Sequence, residues 1–192
     1  MKKKEKNAKK LKNLQRKETT FDIANSPGFA YNNFMNITKK VARALIHKGK
    51  TLSLAESCTG GFLSNALTDI PGSSKFFKAG VISYSDAAKN KILKVPNSTL
   101  QKYGAVSIPC VRQMAQGIRQ LTKTDFSIAL SGIAGPSGGT KTKPIGLTFI
   151  AINSKKQTRS FKFIFKGSRL SIKKQAATKA LKLFLIFLNE SE

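Results

Sequence analysis

LSLAESCTGGF, residues 52–62, opens as an apolar alternation and then breaks into hydroxyl- and thiol-bearing residues followed by two adjacent glycines. That order reads as strand, site loop and helix. Leu52 and Leu54 alternate with small positions, Ser57, Cys58 and Thr59 offer nucleophiles or donors, and Gly60 and Gly61 let a ligand approach the main chain closely. At the carboxyl end of a buried strand, such a turn can aim free N–H groups at an anion.

Outward from this stretch, helices and strands alternate. Residues 34–48 place Met35, Ile37, Val41, Ala44, Leu45 and Ile46 at helical spacing, with Gly49 as a C-cap. Residues 62–68 continue as a helix that Pro71 and Gly72 end. A strand at 79–84, AGVISY, leads to a helix capped by Ser85 or Asp86 and bearing Ala88, Ile92 and Leu93. A short helix ends at Gly104, and a longer one over 109–121 carries Val111, Met114, Ala115, Ile118 and Leu121. The strand 126–130 then enters SGIAGPSGGT, residues 131–140, whose density of Gly and Pro demands a loop. Strands 145–152 and 161–165 flank the polar turn SKKQTR as an antiparallel hairpin. A last helix, 168–188, is expected to bury Ala176, Ala180, Leu183, Phe184 and Phe187. The pattern predicts an α/β fold: a single three-layer α/β/α domain over residues 34–192, with a mixed sheet covered on both faces.

Residues 1–33 differ in character. Nine Lys and Arg stand against Glu5 alone in residues 1–17, and NSPGFAYNN follows, rich in turn formers. This stretch is expected to be a basic, disordered extension. Its charge is part of a wider excess, since the whole chain carries a formal +26. Such a balance points to anionic partners, and non-specific nucleic acid through the tail is one of them; scattered lysines forming a solvated surface would give the same number. Cys58 and Cys110 lack CxxC spacing, so neither a disulfide framework nor a structural zinc site is indicated, and a reducing, cytoplasmic setting is expected. No apolar run reaches the roughly 18 residues that span a bilayer. The lysines near the start also interrupt any signal-peptide core.

The two Gly-rich loops, ESCTGG and SGIAGPSGGT, each follow a predicted strand, and in an α/β sheet such loops tend to meet at one carboxyl edge. Neither matches GxxxxGK[ST] or GxGxxG, so the standard nucleotide fingerprints are absent. His47 is the only histidine and falls near a helix C-terminus, where a structural role is expected. A Ser-His-Asp triad or a Cys-His pair is therefore hard to assemble, which argues against Cys58. A Ser-Lys system remains, in which a neutral lysine takes the hydroxyl proton. Lys89, five residues past Tyr84, could serve. Lowering a lysine from about 10.4 to about 7.5 costs its charged form about 4 kcal/mol, and burial and neighbouring cations both act in that direction.

These residues also carry a family resemblance. LSLAESCTGGFLSNALTDIPGSSKFF, GVISYSDAAKNKILKV, GAVS and SGIAGPSGGTKTKPIG follow one another as they do in the carboxy-terminal domain of the CinA family, the nicotinamide-nucleotide amidohydrolases, and the chain resembles that family from about Asn36 to Leu188. The resemblance implies hydrolysis of the carboxamide of nicotinamide mononucleotide to ammonia and nicotinate mononucleotide, in pyridine-nucleotide salvage. It implies no cofactor, no metal and a homo-oligomer. By the same resemblance Ser57 is the nucleophile, with Tyr84 and Lys89 as proton-transfer partners and the main chain around Thr59 and Gly60 as the oxyanion site. Gly132, Gly135, Gly138, Gly139 and Thr140, together with Arg169, match the ligand-contacting region and suit a 5′-phosphate. Glu56 holds either the loop, Lys89 or a helix N-terminus.

The chain departs from the family pattern at three positions. Asp86 stands where asparagine is usual, Ile108 where an acid is frequent and Leu147 where threonine is common. Asp86 adds a carboxylate three residues before Lys89, which opposes its neutral form. The alternative reading is a non-catalytic nucleotide or nucleic-acid binding module, which the charge and the family's association with competence and DNA damage both invite. A subunit separated from a larger hydrolase-like partner domain is a third, since only about 33 residues precede the domain.

Overall fold

The structure, a computed structural model, describes residues 27–190. It divides into two units, residues 1–35 and 36–192. Of the first, the described part is the opening of α1 (Pro27–His47). This helix begins seven residues before the expected start at residue 34. Proline at the first helical position explains the early start, because its fixed φ suits a helix and its missing N–H would have had no partner there. The expected disorder of the basic extension lies, for residues 1–26, outside the described residues.

In the second unit, five strands form one sheet in the order β2-β1-β3-β4-β5. They are β1 (Leu52–Glu56), β2 (Phe77–Ile82), β3 (Phe126–Gly132), β4 (Leu147–Ser154) and β5 (Thr158–Ile164). β2, β1 and β3 are parallel, while β4 pairs antiparallel with both β3 and β5. The helices are α2 (Phe62–Thr68), α3 (Asp86–Leu93), α4 (Asn97–Tyr103), α5 (Ile108–Thr122) and α6 (Arg169–Asn189). The α/β class with a mixed, two-faced sheet is as the sequence predicts.

Small side chains on one sheet face let α5 approach closely. Ala55, Ala129 and Ala151 join Leu93, Leu100, Cys110, Met114 and Ile118 in one buried cluster. Between them Ser127 donates to the Ala115 carbonyl at 2.6 Å. On the opposite face Phe126 meets Phe184 and Phe187 of α6 edge-on, at ring-centroid distances of 5.6 and 6.2 Å.

Several boundaries differ from expectation for physical reasons. β2 runs 77–82 rather than 79–84, because the carbonyls of Ser83 and Tyr84 turn away from the ladder to a lysine amine. The hairpin turn is tighter than SKKQTR, since Thr158 and Arg159 already pair with Asn153 and Ile152. Leu183 is only half-buried, the seam of α6 running instead through Ala177, Ala180, Leu181, Phe184 and Leu188. Leu121 is exposed, as Thr122 takes the inward position and bonds the Thr124 hydroxyl beneath it. No helix among the described residues is long and apolar enough to cross a membrane.

α3 and α5 touch through Gly117, where an added Cβ would stand 1.9 Å from the Leu93 carbonyl oxygen. Main chain cannot yield there as a flexible side chain would. Gly117→Ala is expected to lower the unfolding free energy by about 3 kcal/mol, the upper range for overpacking, as measured by urea denaturation.

Candidate active site

Four strand ends meet at one edge of the sheet. β1, β2 and β3 are parallel, and β5, antiparallel to the antiparallel β4, points the same way. Ser57 follows β1, Tyr84 follows β2, the Gly-rich loop follows β3, and Arg169 opens α6 after β5. Such a carboxyl edge is where α/β sheets bind ligands. A cavity of about 330 Å³ lies there.

The turn that carries Ser57 is fixed by Glu56. This carboxylate is fully buried and accepts from the N–H groups of Gly61 (3.1 Å), Leu63 (3.1 Å) and Ser64 (2.7 Å), and from the Ser64 hydroxyl (2.6 Å). A buried carboxylate at a helix N-terminus is stabilised by donors that would otherwise lack acceptors. Glu56 thus holds the loop and α2, and its acceptors are taken by that turn rather than by Lys89. The Ser57 N–H donates to the Leu130 carbonyl at 3.0 Å, and its own carbonyl accepts from the Gly60 N–H at 3.1 Å.

Lys89 is 1% exposed, on the first turn of α3, which Ser85 caps through the Ala88 N–H. Its amine donates to the Ser83 carbonyl at 2.9 Å, the Tyr84 carbonyl at 3.4 Å and the Ser57 hydroxyl at 3.3 Å. Burial is the main influence on this amine and holds it below the usual lysine range. Asp86, exposed and 4.0 Å away, acts in the opposite sense. The thiols of Cys58 and Cys110 are both pushed up to about 11, mainly by burial, so they are protonated at neutral pH and offer no thiolate nucleophile.

Two carbonyls on the amine leave one direction open, and Ser57 occupies it. When Lys89 is neutral, its two N–H bonds have acceptors in Ser83 and Tyr84 and its lone pair faces the Ser57 hydroxyl. Such an arrangement is chemically able to pass the Ser57 proton to Lys89.

The other expected residues divide. Gly132, Gly135, Gly138 and Arg169 line the cavity with Ser57, Tyr84 and Lys89. Arg169 donates through Nη1 to the Gly135 carbonyl (2.5 Å) and through Nη2 to the Tyr84 hydroxyl (2.9 Å). The Tyr84 side chain is 61% exposed at the cavity mouth, and its hydroxyl engages Arg169 rather than Ser57 or Lys89. The main-chain N–H groups of Ala134, Gly135, Ser137 and Gly138, which line the cavity, make no hydrogen bond among the described residues and are free to meet an acceptor there.

Thr59, Gly60, Gly139 and Thr140 do not line the cavity. The Gly60 N–H is taken by Ser57 and the Thr59 side chain is buried, its hydroxyl without a partner among the described residues. Cys58, whose N–H no main-chain carbonyl accepts, lines the cavity in their place. Gly139 packs against Ile145, and Thr140 bonds Lys143 within the loop. Of the departures, Leu147 is core and Ile108 opens α5 on the surface. His47 is an exposed residue at the end of α1. Sequence reasoning missed Ser83, which acts through its carbonyl, and the apolar wall of Ala105, Val106 and Ile133. GAVS marked that wall without indicating its role. Among the described residues no cluster of His, Cys, Asp and Glu could hold a metal.

Residues 35–188 match the family model for the CinA C-terminal domain. The chain belongs to the CinA C-terminal domain family. A CinA-like protein of Endomicrobium trichonymphae is 50% identical over 141 residues, covering 73% of this chain and 33% of that protein. A putative competence-damage inducible protein of Desulforudis audaxviator is 42% identical over 151 residues, covering 79% and 37%. The chain thus spans about a third of the length of these curated CinA relatives. Among solved structures, the competence damage-inducible protein A of Klebsiella pneumoniae subsp. pneumoniae is similar at a TM-score of 0.81 and 38% identity, covering 83% of this chain and 99% of that one. The competence/damage inducible protein of Agrobacterium tumefaciens gives 0.79 and 34%, covering 82% and 96%.

Lys89 carries a stability consequence. A lysine whose folded pKa is lowered disfavours folding where it is charged in the unfolded chain, and this penalty fades as pH rises through the folded pKa towards the unfolded value of about 10.4. Lys89→Met should therefore stabilise this CinA domain at neutral pH, with the gain shrinking towards pH 10 in urea titrations run across that range.

Proposed function

We propose that this domain is an amidohydrolase that removes the carboxamide nitrogen of nicotinamide mononucleotide as ammonia, leaving nicotinate mononucleotide. The observation that carries the reading is the buried Lys89 amine, held by two carbonyls and 3.3 Å from the Ser57 hydroxyl. The family resemblance supplies the substrate, and the cavity supplies compatible chemistry: an apolar wall for a ring, a cation and unbonded N–H groups for a phosphate. Its volume of about 330 Å³ falls within the range of small-molecule sites.

In this reading, neutral Lys89 takes the Ser57 proton as Oγ bonds to the carboxamide carbon. The carbonyl electrons move onto oxygen, where the Cys58 N–H is the available donor. Collapse breaks the C–N bond, and the Lys89 ammonium gives its proton to the departing nitrogen, which leaves as ammonia. Water then attacks the ester, passes a proton to Lys89, and the second collapse restores Ser57. Tyr84 acts at the mouth through Arg169, and its carbonyl steadies Lys89.

Ammonia release from nicotinamide mononucleotide, followed together with the acid product, tests the reading. Ser57→Ala should abolish it, and Lys89→Met should cost at least the roughly 10²-fold typical of a lost general base. Wild-type protein that releases no more ammonia than Ser57→Ala would refute the assignment.

The pH dependence offers a second measurement. kcat/KM should rise with pH through the lowered Lys89 pKa. Asp86→Asn removes the carboxylate that raises it, so the acid limb of that profile should move to lower pH.

A further inference from the structure

β5 closes one side of the sheet, and among the described residues no strand pairs with its outer edge. The Phe165 N–H donates to the Gly146 carbonyl at 3.0 Å and the Ser154 N–H to the Gln157 carbonyl at 2.9 Å, so odd-numbered residues turn their main chain towards β4. Ser160, Lys162 and Ile164 turn theirs outward, where no group among the described residues bonds them. At the start of the strand the Thr158 carbonyl is taken by Arg112 of α5, at 3.1 Å. An open edge of this kind is a template for another strand.

The side chains there are apolar on one face and surrounded by cations. Phe161, Phe163 and Phe165 stack along one face at centroid distances of 6.5 and 5.6 Å, with the Lys179 amine 5.0 Å from the Phe163 ring. Lys162 and Ile164 are exposed on the other face, which Arg112 reaches through the Ser160 hydroxyl at 3.5 Å. Residues 126–189, which supply β3, β4, β5 and α6, hold twelve Lys and Arg and no Asp or Glu. The described acids outside that run stand on β1 (Glu56), after α2 (Asp69), on α3 (Asp86), before β3 (Asp125) and at Glu190, which Arg159 holds.

We propose that the outer edge of β5 is a docking strand for an extended, acidic segment of a partner protein, which joins the sheet as a sixth strand. A polypeptide main chain both donates and accepts, as Ser160, Lys162 and Ile164 require. The phosphates of a nucleic acid accept from N–H groups but give the carbonyls nothing, and the three rings turn their faces to one another rather than to a base. A second copy of this chain would set two acid-free halves edge to edge, and like charges across a strand pair repel. Carboxylates on an incoming strand lie instead beside Lys162 and Arg112, while its apolar residues extend the ring ladder on the opposite face. This surface is independent of the chemistry proposed for the cavity.

The test uses the full chain and a short fluorescent peptide that alternates glutamate with valine, beside the same peptide methylated at each central main-chain nitrogen, which keeps the charge and loses the donors. Binding is read by anisotropy in wild-type protein, Lys162→Glu and Lys162→Pro, each checked for an unchanged melting temperature. Proline at this position removes an outward N–H and no bond to β4, so the sheet keeps its ladder. Methylation of the peptide, Lys162→Glu and Lys162→Pro are each expected to weaken binding about tenfold or more. Amide exchange followed by NMR is expected to slow at Ser160, Lys162 and Ile164 when the unmethylated peptide is added. Equal binding of the two peptides, or of wild-type and Lys162→Pro protein, assigns the affinity to charge alone and overturns the proposal, as does a peptide that does not bind or leaves those amides unchanged. Protection of the same amides in the free protein, with sedimentation as a dimer, gives the edge to a second copy and overturns it too. So does a thymidine oligonucleotide that slows these amides where the peptide does not.

Discussion

The buried carboxylate of Glu56 is the constraint on which the site depends. It ends the strand between β2 and β3, and it gathers the N–H groups of Gly61, Leu63 and Ser64 that begin α2. Strand and helix are thereby joined through a turn with little freedom, and Ser57 lies in that turn. A charge in the interior is tolerated because four donors surround it, and removing it would orphan three main-chain groups at once. The glycines that follow permit the turn: Gly60 and Gly61 both adopt positive φ.

Against this fixed turn, α3 presents Lys89. Ser85 caps the helix, Gly117 lets α5 press against its last turn at Leu93, and the amine of Lys89 is delivered into a space already bounded by Ser83, Tyr84 and Ser57. Desolvation of that amine is the cost of the arrangement and the source of its proposed chemistry. The cationic half of the site comes from elsewhere in the chain. Arg169 enters from β5 through α6, so the groups around the cavity, Ser57, Lys89, the Gly-rich loop and Arg169, come from four separate strand ends.

Much of this was legible in the sequence because its signals are periodic or compositional. The strand–loop–helix reading of 52–62 and the Ser85 cap follow from residue type and spacing, and so does the loop nature of 131–140. What stayed hidden is carried by the main chain. Ser83 and Tyr84 lend carbonyls, which leave no side-chain signature, and the same carbonyls shorten β2 at its end. The commitment of the Gly60 N–H to the Ser57 carbonyl is likewise a matter of turn geometry, invisible in the letters TGG.

Tyr84 faces two ways: its carbonyl accepts from Lys89 and its hydroxyl lies at the mouth of the cavity. A point mutation can delete the hydroxyl, but every amino acid retains the carbonyl. The grip on Lys89 is therefore shielded from substitution at residues 83 and 84, whereas the rim formed by Tyr84 and Arg169 is open to it. Across sequence change, the rim of such a domain can be altered while the main-chain hold on the Lys89 amine is kept.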